Sequence, residues 1–312
     1  MIPIIPFEPV STDTIPTGPS WVGQVKWDGV RVLTYHTGQE TKLYNRHCNE
    51  RTAHYPELVD FWQGNSNSFI LDGEIIALKD GKPSFYTVMK RDGITNLSQV
   101  EKVKNTIPIT YMIFDVLYWN GEWITQHPLL KRQEILQEII KPNEQILLVD
   151  NVQDANILFE VIKKQELEGI VLKDLSSTYL INGKDSRWLK KKFYQDLIAV
   201  VGGVTLRGSI VNSLLLGLYD QYGNLHYIGH AGTGKLTQND WRNLTENIAH
   251  LIIPEMPFAK PPTRLKGAIW LKPKLTVKVQ FTQWLEGHTL RQPSIQAFVN
   301  VDPRTLISER EK

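Results

Sequence analysis

The chain has one cysteine in 312 residues, which excludes a disulfide framework and any zinc site built from several thiolates. That scarcity fits a reducing compartment, so a cytoplasmic location is expected. No apolar run approaches the length of a membrane span. The opening stretch "MIPIIPFEPV" has three prolines and no basic leader, so export is not expected. Net charge is almost absent too: 35 Lys+Arg against 33 Asp+Glu leave +2, which does not by itself mark a nucleic-acid binder. There is no internal repeat and no low-complexity segment.

A complete phosphate-binding loop is also missing. "GHAGTGKLT" at 229–237 comes within one residue of it, but Leu236 follows Lys235 where a hydroxyl is needed to ligate magnesium. The residues leading into it, "NSLLLGLYDQYGNLHYIGHAGTG", read as two alternating strands joined by "DQYGN". That is an antiparallel hairpin, not the strand–loop–helix unit whose amides cradle phosphates. A nucleotide site is expected elsewhere.

What the chain does have is apolar bulk: 41% hydrophobic residues and nine tryptophans, over a length comfortable for two domains. "WVGQVKW", "VRVLTYHT", "TKLYNR", "FILDGEIIALK", "ITYMIFDVLYW" and "EGIVLKD" read as strands. "LLKRQEILQEII" and "DANILFEVIKKQ" carry apolar residues at spacings of three and four and read as amphipathic helices. Strands outnumber helices without alternating with them, so the fold class is α+β rather than doubly wound. Beyond about residue 195 short strands, glycine-rich turns and one helix, "LTQNDWRNLTENIAHLI", fit a small closed barrel of the OB type. The domains are therefore expected at 1–195 and 196–312, with the boundary near "KKKFYQD". Two basic stretches with interleaved aromatics, "GKDSRWLKKKFY" at 183–194 and "KPPTRLKGAIWLKPKLTVK" at 260–278, raise the nucleic-acid reading that net charge does not.

Four short motifs carry chemistry. "VKWDGVR" puts Lys26 at the end of a predicted strand, with Asp28 and a glycine turn after it. A lysine whose proton is drawn off by neighbouring cations or desolvation is a covalent nucleophile. "LDGE" supplies Glu74, "LEGIVLK" supplies Glu168 and Lys173, and "RWLKKK" supplies Lys190 and Lys192, which on a strand share a face. A nucleophilic amine, two carboxylates for a divalent metal and cations for phosphate together suit attack on a nucleoside triphosphate.

In order and spacing, over about residues 20–300, this set resembles the motifs of the covalent nucleotidyltransferases. It is most similar to the ATP-dependent DNA ligases of minimal bacterial type and to the ligase module of end-joining ligases. The resemblance implies an adenylation domain followed by an OB-fold barrel. It implies ATP and Mg²⁺ (or Mn²⁺) as cofactors and nicked double-stranded DNA as partner, for a monomer away from membranes that DNA-end-binding proteins could recruit. The implied chemistry is nick sealing in repair, replication or recombination through lysyl-AMP and adenylated DNA. Lys26 matches the adenylated lysine and Gln24 the position that helps read adenine. Asp28 and Arg31 match residues at the AMP and nick phosphates, and Arg46 in "YNRHCNERTAHYPEL" matches an arginine at the ribose and nick. Glu74 matches a ribose- and metal-assisting carboxylate, Phe114 in "MIFDVLY" the adenine-stacking aromatic, and Glu168 the metal-binding acid. Lys173, Lys190 and Lys192 match phosphate-binding lysines, while Phe85 and Arg91 fit a pattern of packing character. Asp115 reads equally as a structural hydrogen-bond partner or a site residue. Lys191 points away from its neighbours and reads as a solvated or DNA-facing charge.

Arg291 with Pro293 begins the last motif, whose basic groups orient the leaving pyrophosphate when the OB domain closes. There the sequence departs from the pattern, with Val299 and Asp302 where cations are usual and Arg304 as the nearest replacement. Cys48 stands where the arginine loop often has glycine. An RNA ligase or a capping guanylyltransferase shares the motif set, and a non-catalytic nucleic-acid-binding OB protein would account for the altered last motif.

Overall fold

A computed structural model describes residues 1–262, 266–285 and 287–308. Residues 263–265 of the second basic stretch and Glu286 of the last predicted barrel segment therefore lie outside the described residues. The chain divides into two compact units between Phe193 and Tyr194.

The first unit is built on two sheets. The larger has seven strands, with Thr41–Asn45, Val30–Thr37, Ser68–Lys79 and Ile109–Trp119 adjacent in that order and antiparallel. The smaller has four, ordered Val10–Ser11, Trp188–Lys192, Gly169–Asp174 and Trp21–Val25. Alternating side chains send Leu43, Phe69, Leu71, Ile113 and Val116 to a core on one side of the larger sheet, with Leu58, Val88 and Leu136 from three helices. Phe7, Leu33, Tyr35, Ile70, Leu117, Tyr179 and Trp188 form a separate core. Leu33 and Ile70 come from the larger sheet and Trp188 from the smaller, so this core joins the two. The helix Ala155–Lys164 covers the back of the smaller sheet. Its Ala155, Leu158, Phe159 and Ile162, at the helical spacing of an apolar stripe, pack on Ile170 and Leu172. Asp154 caps it by accepting from the backbone N–H of Asn156 and Ile157.

The second unit is a five-stranded sheet ordered Leu225–Ala231, Ile210–Tyr219, Gln195–Arg207, Ala268–Phe281, Ser294–Val299. A parallel bridge between Gly234 and Ile295 joins its two edges and closes a barrel, filled by Val201, Val204, Leu214, Leu216, Val277, Val279 and Ile295. The α+β fold with a terminal OB-type barrel is thus observed. The glycine-rich stretch "GHAGTGKLT" forms that closing turn. Strand, loop and helix do follow one another here despite the hairpin reading, because Gln238–Asn247, within the predicted helix, starts directly after Thr237. The loop is nonetheless committed to the barrel. The N–H of Lys235 donates to the Ile295 carbonyl at 2.8 Å, and Asp240 takes both the N–H and the hydroxyl of Thr237. A carboxylate already holds the helix start where a phosphate would sit.

Candidate active site

The smaller sheet sets the site by its register. Val171 stands opposite Gln24 on one side and Lys190 on the other; Lys173 stands opposite Val22 and Trp188, and Gly169 opposite Lys192. Opposed residues of an antiparallel ladder project to one face, so Gln24, Lys173, Trp188, Lys190 and Lys192 share a face. Lys26 follows two residues after Gln24, held by its N–H on the Gly169 carbonyl at 3.0 Å. The other face carries Ile170, Leu172 and Leu189 to the covering helix. Lys191 is on that side: its ammonium donates to the Asp13 carbonyl and lies 5.0 Å from the Phe159 ring.

Lys26 occupies the crossover between the sheets, since Trp21–Val25 belongs to the smaller and Val30–Thr37 to the larger. The glycine that ends the crossover is sterically required, because a Cβ on Gly29 would stand 2.1 Å from the Ile75 carbonyl oxygen. Gly169, beside Glu168, has φ +151 and would place a Cβ 2.3 Å from the Lys191 carbonyl oxygen. Both motif glycines let backbone approach backbone where the charged side chains must converge.

Those side chains do converge. Lys26 Nζ donates to Glu168 Oε2 at 2.6 Å and Lys192 Nζ lies 2.9 Å from Glu168 Oε1. Each carboxylate oxygen therefore holds one ammonium, and the Glu168 side chain is only 7% exposed. Burial alone would raise its carboxyl, but Lys26 and Lys192 draw it below the ordinary value. Glu74 reaches the same group from the larger sheet. Desolvation pushes its carboxyl up to about 8, against the opposing pull of Lys26 and Arg31, and Glu168 and Asp28 add to the rise. Two nearby carboxylates are thus pushed in opposite directions, Glu168 toward the anion and Glu74 toward the protonated acid.

Lys173 is fully buried and its Nζ has no hydrogen-bond partner; it rests 3.9 Å from the Trp188 ring and 4.2 Å from that of Phe114. Burial brings its ammonium down to about 7. Charged Lys173 therefore costs stability in full below pH 7, a cost that fades between pH 7 and its unfolded value near 10.5. We expect Lys173→Met to raise Tm at pH 6 by more than at pH 9.5. A gain independent of pH would show that packing, not charge burial, sets the difference.

The remaining predicted residues are distributed as follows. Gln24 is buried and donates to Asn151 Oδ1 at 2.8 Å. Phe114 packs edge-on against Trp188 at 5.9 Å. Lys190 is partly buried, and desolvation followed by the nearby cations Lys184, Lys192 and Lys26 lowers its ammonium. Asp28 is buried. Arg31 is committed to the protein: it makes a two-point pair with the buried Asp72 at 2.9 and 2.7 Å and donates to the Phe7 carbonyl at 2.7 Å. Its role near phosphate is therefore reduced to whatever field this neutralised pair leaves. Arg46 stands exposed after the strand Thr41–Asn45, its Nε 3.2 Å from His47 Nε2. Cys48 in that turn has φ +60, so it adopts the left-handed conformation that glycine takes more easily. Phe85 packs against the helix-side core and Arg91 is buried against Glu57 and the carbonyls of His54 and Ile107, both in packing roles. Arg291 and the altered last motif lie in the second unit. Arg291 ends the strand Leu290–Arg291, Val299 ends Ser294–Val299, and Asp302 caps a short helical turn by accepting from the Arg304 N–H at 3.0 Å. The capping role of Asp302 means that a lysine there would add a cation only at the expense of this turn. Sequence reading did not single out Asp72, Trp188, Asn151 or Gln133, although the first two stand inside quoted motifs.

Fold and site together define a nucleotidyltransferase-type ligase domain followed by a barrel. The family model "ATP dependent DNA ligase domain" matches residues 11–192, and "ATP dependent DNA ligase C terminal region" matches 207–299. The chain belongs to the ATP-dependent DNA ligase family. A DNA ligase of Methanosphaera stadtmanae is 28% identical over 295 residues, covering 88% of this chain and 51% of that protein. The ligase domain of LigD from M. tuberculosis superposes with a TM-score of 0.53 at 26% identity, covering 98% of both chains. A mycobacterial DNA ligase D complexed with ATP and MES gives a TM-score of 0.54 with the same identity and coverage. The chain spans about half the length of the first curated relatives it matches, 51% and 57%. No helix among the described residues is long and apolar enough to cross a membrane.

Proposed function

We propose that the chain is an ATP-dependent DNA ligase that seals 5′-phosphate/3′-hydroxyl nicks in double-stranded DNA. The observation that carries this reading is the Lys26–Glu168–Lys192 cluster on one face of a sheet, inside a domain of this family. Lys26 attacks the α-phosphorus of ATP, pyrophosphate leaves, and a phosphoramidate bond joins AMP to Nζ. AMP then passes to the 5′-phosphate of the nick, and the 3′-hydroxyl displaces it. Glu168, held as an anion, is the acceptor closest to the Lys26 ammonium and orients it; the ammonium must lose its proton before attack. Lys192 and Lys190 then face the phosphate oxygens.

Glu74 and Glu168 are the residues that would hold Mg²⁺. Among the described residues no cluster of three or more metal-ligating side chains exists. Two carboxylates suit this cation, which keeps waters and substrate phosphates as its other ligands. Bound there, it supplies charge neutralisation on the triphosphate. The relatives' names support DNA as substrate, and the similarity to LigD supports recruitment by end-binding proteins.

Labelling with ATP, then a nicked-duplex assay, tests the reading. An acid-labile covalent adenylate and sealed DNA are expected; labelling by GTP in its place would reassign the chain to capping chemistry. Glu168→Gln should slow adenylation by roughly 10²–10³-fold, as removal of one preorganised charge does. Rates within a few-fold of the parent would remove Glu168 from the chemistry.

A further inference from the structure

The buried Gln24 amide is the end of a chain of three carboxamides from distant parts of the sequence, with Asn151 in the middle. Gln24 Nε2 donates to Asn151 Oδ1 at 2.8 Å, and Asn151 Nδ2 donates to Gln133 Oε1 at 2.6 Å. Gln133 Nε2 returns a longer bond to Asn151 Oδ1 at 3.4 Å. Asn151 and Gln133 thus face each other through two bonds, and neither amide can turn over without the other. The Asn151 backbone is fixed as well, because its neighbour Val152 exchanges both hydrogen bonds with Gly23 at 2.8 Å, alongside Gln24. Gln133 projects from the helix Leu129–Ile139 and is itself 8% exposed.

The donor count has a consequence for the atom that Gln24 offers. A carboxamide has one accepting oxygen and one donating nitrogen. The Gln24 nitrogen is taken by Asn151, while its oxygen has no partner among the described residues. Gln24 lies on the face shared with Lys173, Lys190 and Lys192.

We infer that Asn151, braced by Gln133, is a specificity-positioning residue that locks Gln24 with its carbonyl oxygen toward the purine, so that the site accepts adenine and rejects guanine. This rests on the reading of Gln24 as a base-contacting residue. An outward oxygen accepts from the 6-amino group of adenine. Guanine carries an oxygen at that position, and two acceptors would then face each other in a buried site. A Gln24 released from Asn151 can turn over and donate to guanine through its nitrogen. Asn151 and Gln133 touch no nucleotide; they act through Gln24.

Calorimetric affinities for ATP and GTP, with rates of covalent labelling, are to be compared in the full chain and in Asn151→Leu, Asn151→Asp and Gln24→Ala. Asn151 is exposed, so neither change at that position opens a cavity, and Tm reports the cost of leaving the buried Gln24 and Gln133 amides without this partner. Asn151→Leu should lower the ATP-to-GTP affinity ratio by about 10- to 100-fold, the effect of losing one oriented buried hydrogen bond. Asn151→Asp should keep the parental ratio, because a carboxylate only accepts and so enforces the same Gln24 orientation. If Gln24→Ala loses discrimination while Asn151→Leu keeps it, Gln24 reads the base unaided and the inference is overturned. An Asp variant as permissive as the Leu variant overturns it too, since orientation would not be the cause. If neither Gln24→Ala nor Asn151→Leu alters the ratio, the base-reading role of Gln24 fails and the relay fails with it.

Discussion

Lys26→Ala is expected to abolish covalent labelling by ATP, a loss on the order of 10⁶ when the attacking group itself is removed. Neither Lys192 nor Lys173 can replace it by a small shift. Lys192 reaches Glu168 from a different strand and on the opposite carboxylate oxygen, and Lys173 is enclosed by Trp188 and Phe114. Lys26→Arg should fail equally, because a guanidinium keeps its proton and cannot attack. Joining a nick that already carries AMP needs no lysine nucleophile, so both variants should retain that step well above background. Mass spectrometry of the tryptic adduct and sealing of a pre-adenylated duplex provide the two readouts. Residual labelling of Lys26→Ala at more than a few percent of the parent would move the nucleophile elsewhere.

Asp115→Ala is expected to unfold the first unit far more readily while leaving no specific signature on catalysis. Asp115 and Arg132 are wholly buried and paired at 2.8 Å through both carboxylate oxygens, and Arg132 also donates to the carbonyls of His127 and Ser177. Removing the carboxylate leaves a guanidinium in the interior without its counter-charge, a cost of about 3–5 kcal/mol. For a unit of this size that corresponds to a fall in Tm of about 10 °C. Asp115→Leu combined with Arg132→Met should lose less than Asp115→Ala alone, since no charge is then stranded. Thermal unfolding with and without ATP checks both points. A Tm within about 2 °C of the parent for Asp115→Ala would mean water or a neighbour replaces the lost charge.

The strands were legible because each is an apolar or alternating run between turn residues; Val30–Thr37 and Ile109–Trp119 end where "VRVLTYHT" and "ITYMIFDVLYW" end. Helices of six to eight residues, Pro56–Phe61, Phe85–Asp92 and Val100–Thr106, were not, since so few turns give no periodic signal. The acid–lysine convergence was legible in part: the alternation of Lys190 and Lys192 marks a shared face, but nothing local says that Glu168 lies between Lys26 and Lys192. The arginines were hardest to read. Arg31 and Arg132 look like surface or phosphate residues in isolation, and only Asp72 and Asp115, at separations of 41 and 17 positions, explain why they are interior; for Arg91 the packing role was legible but not its partner Glu57, 34 positions away. The Gln24–Asn151–Gln133 chain has no local signal at all, because neutral amides separated by 127 and 18 positions carry neither charge nor periodicity.

The strand Trp188–Lys192 separates its lysines by face, Lys190 and Lys192 to the side of Gln24 and Lys173, and Lys191 to the helix side. This makes the segment sensitive to single insertions and deletions as well as to changes of Trp188 and Lys192 themselves. A one-residue deletion between Asp185 and Trp188 shifts the strand by one position and turns every side chain over, sending Trp188 toward Phe159 and Lys191 in among the acids. A two-residue change restores the faces and moves only the ends. Lineages of this protein should therefore tolerate length variation before Trp188 in steps of two far more often than in steps of one.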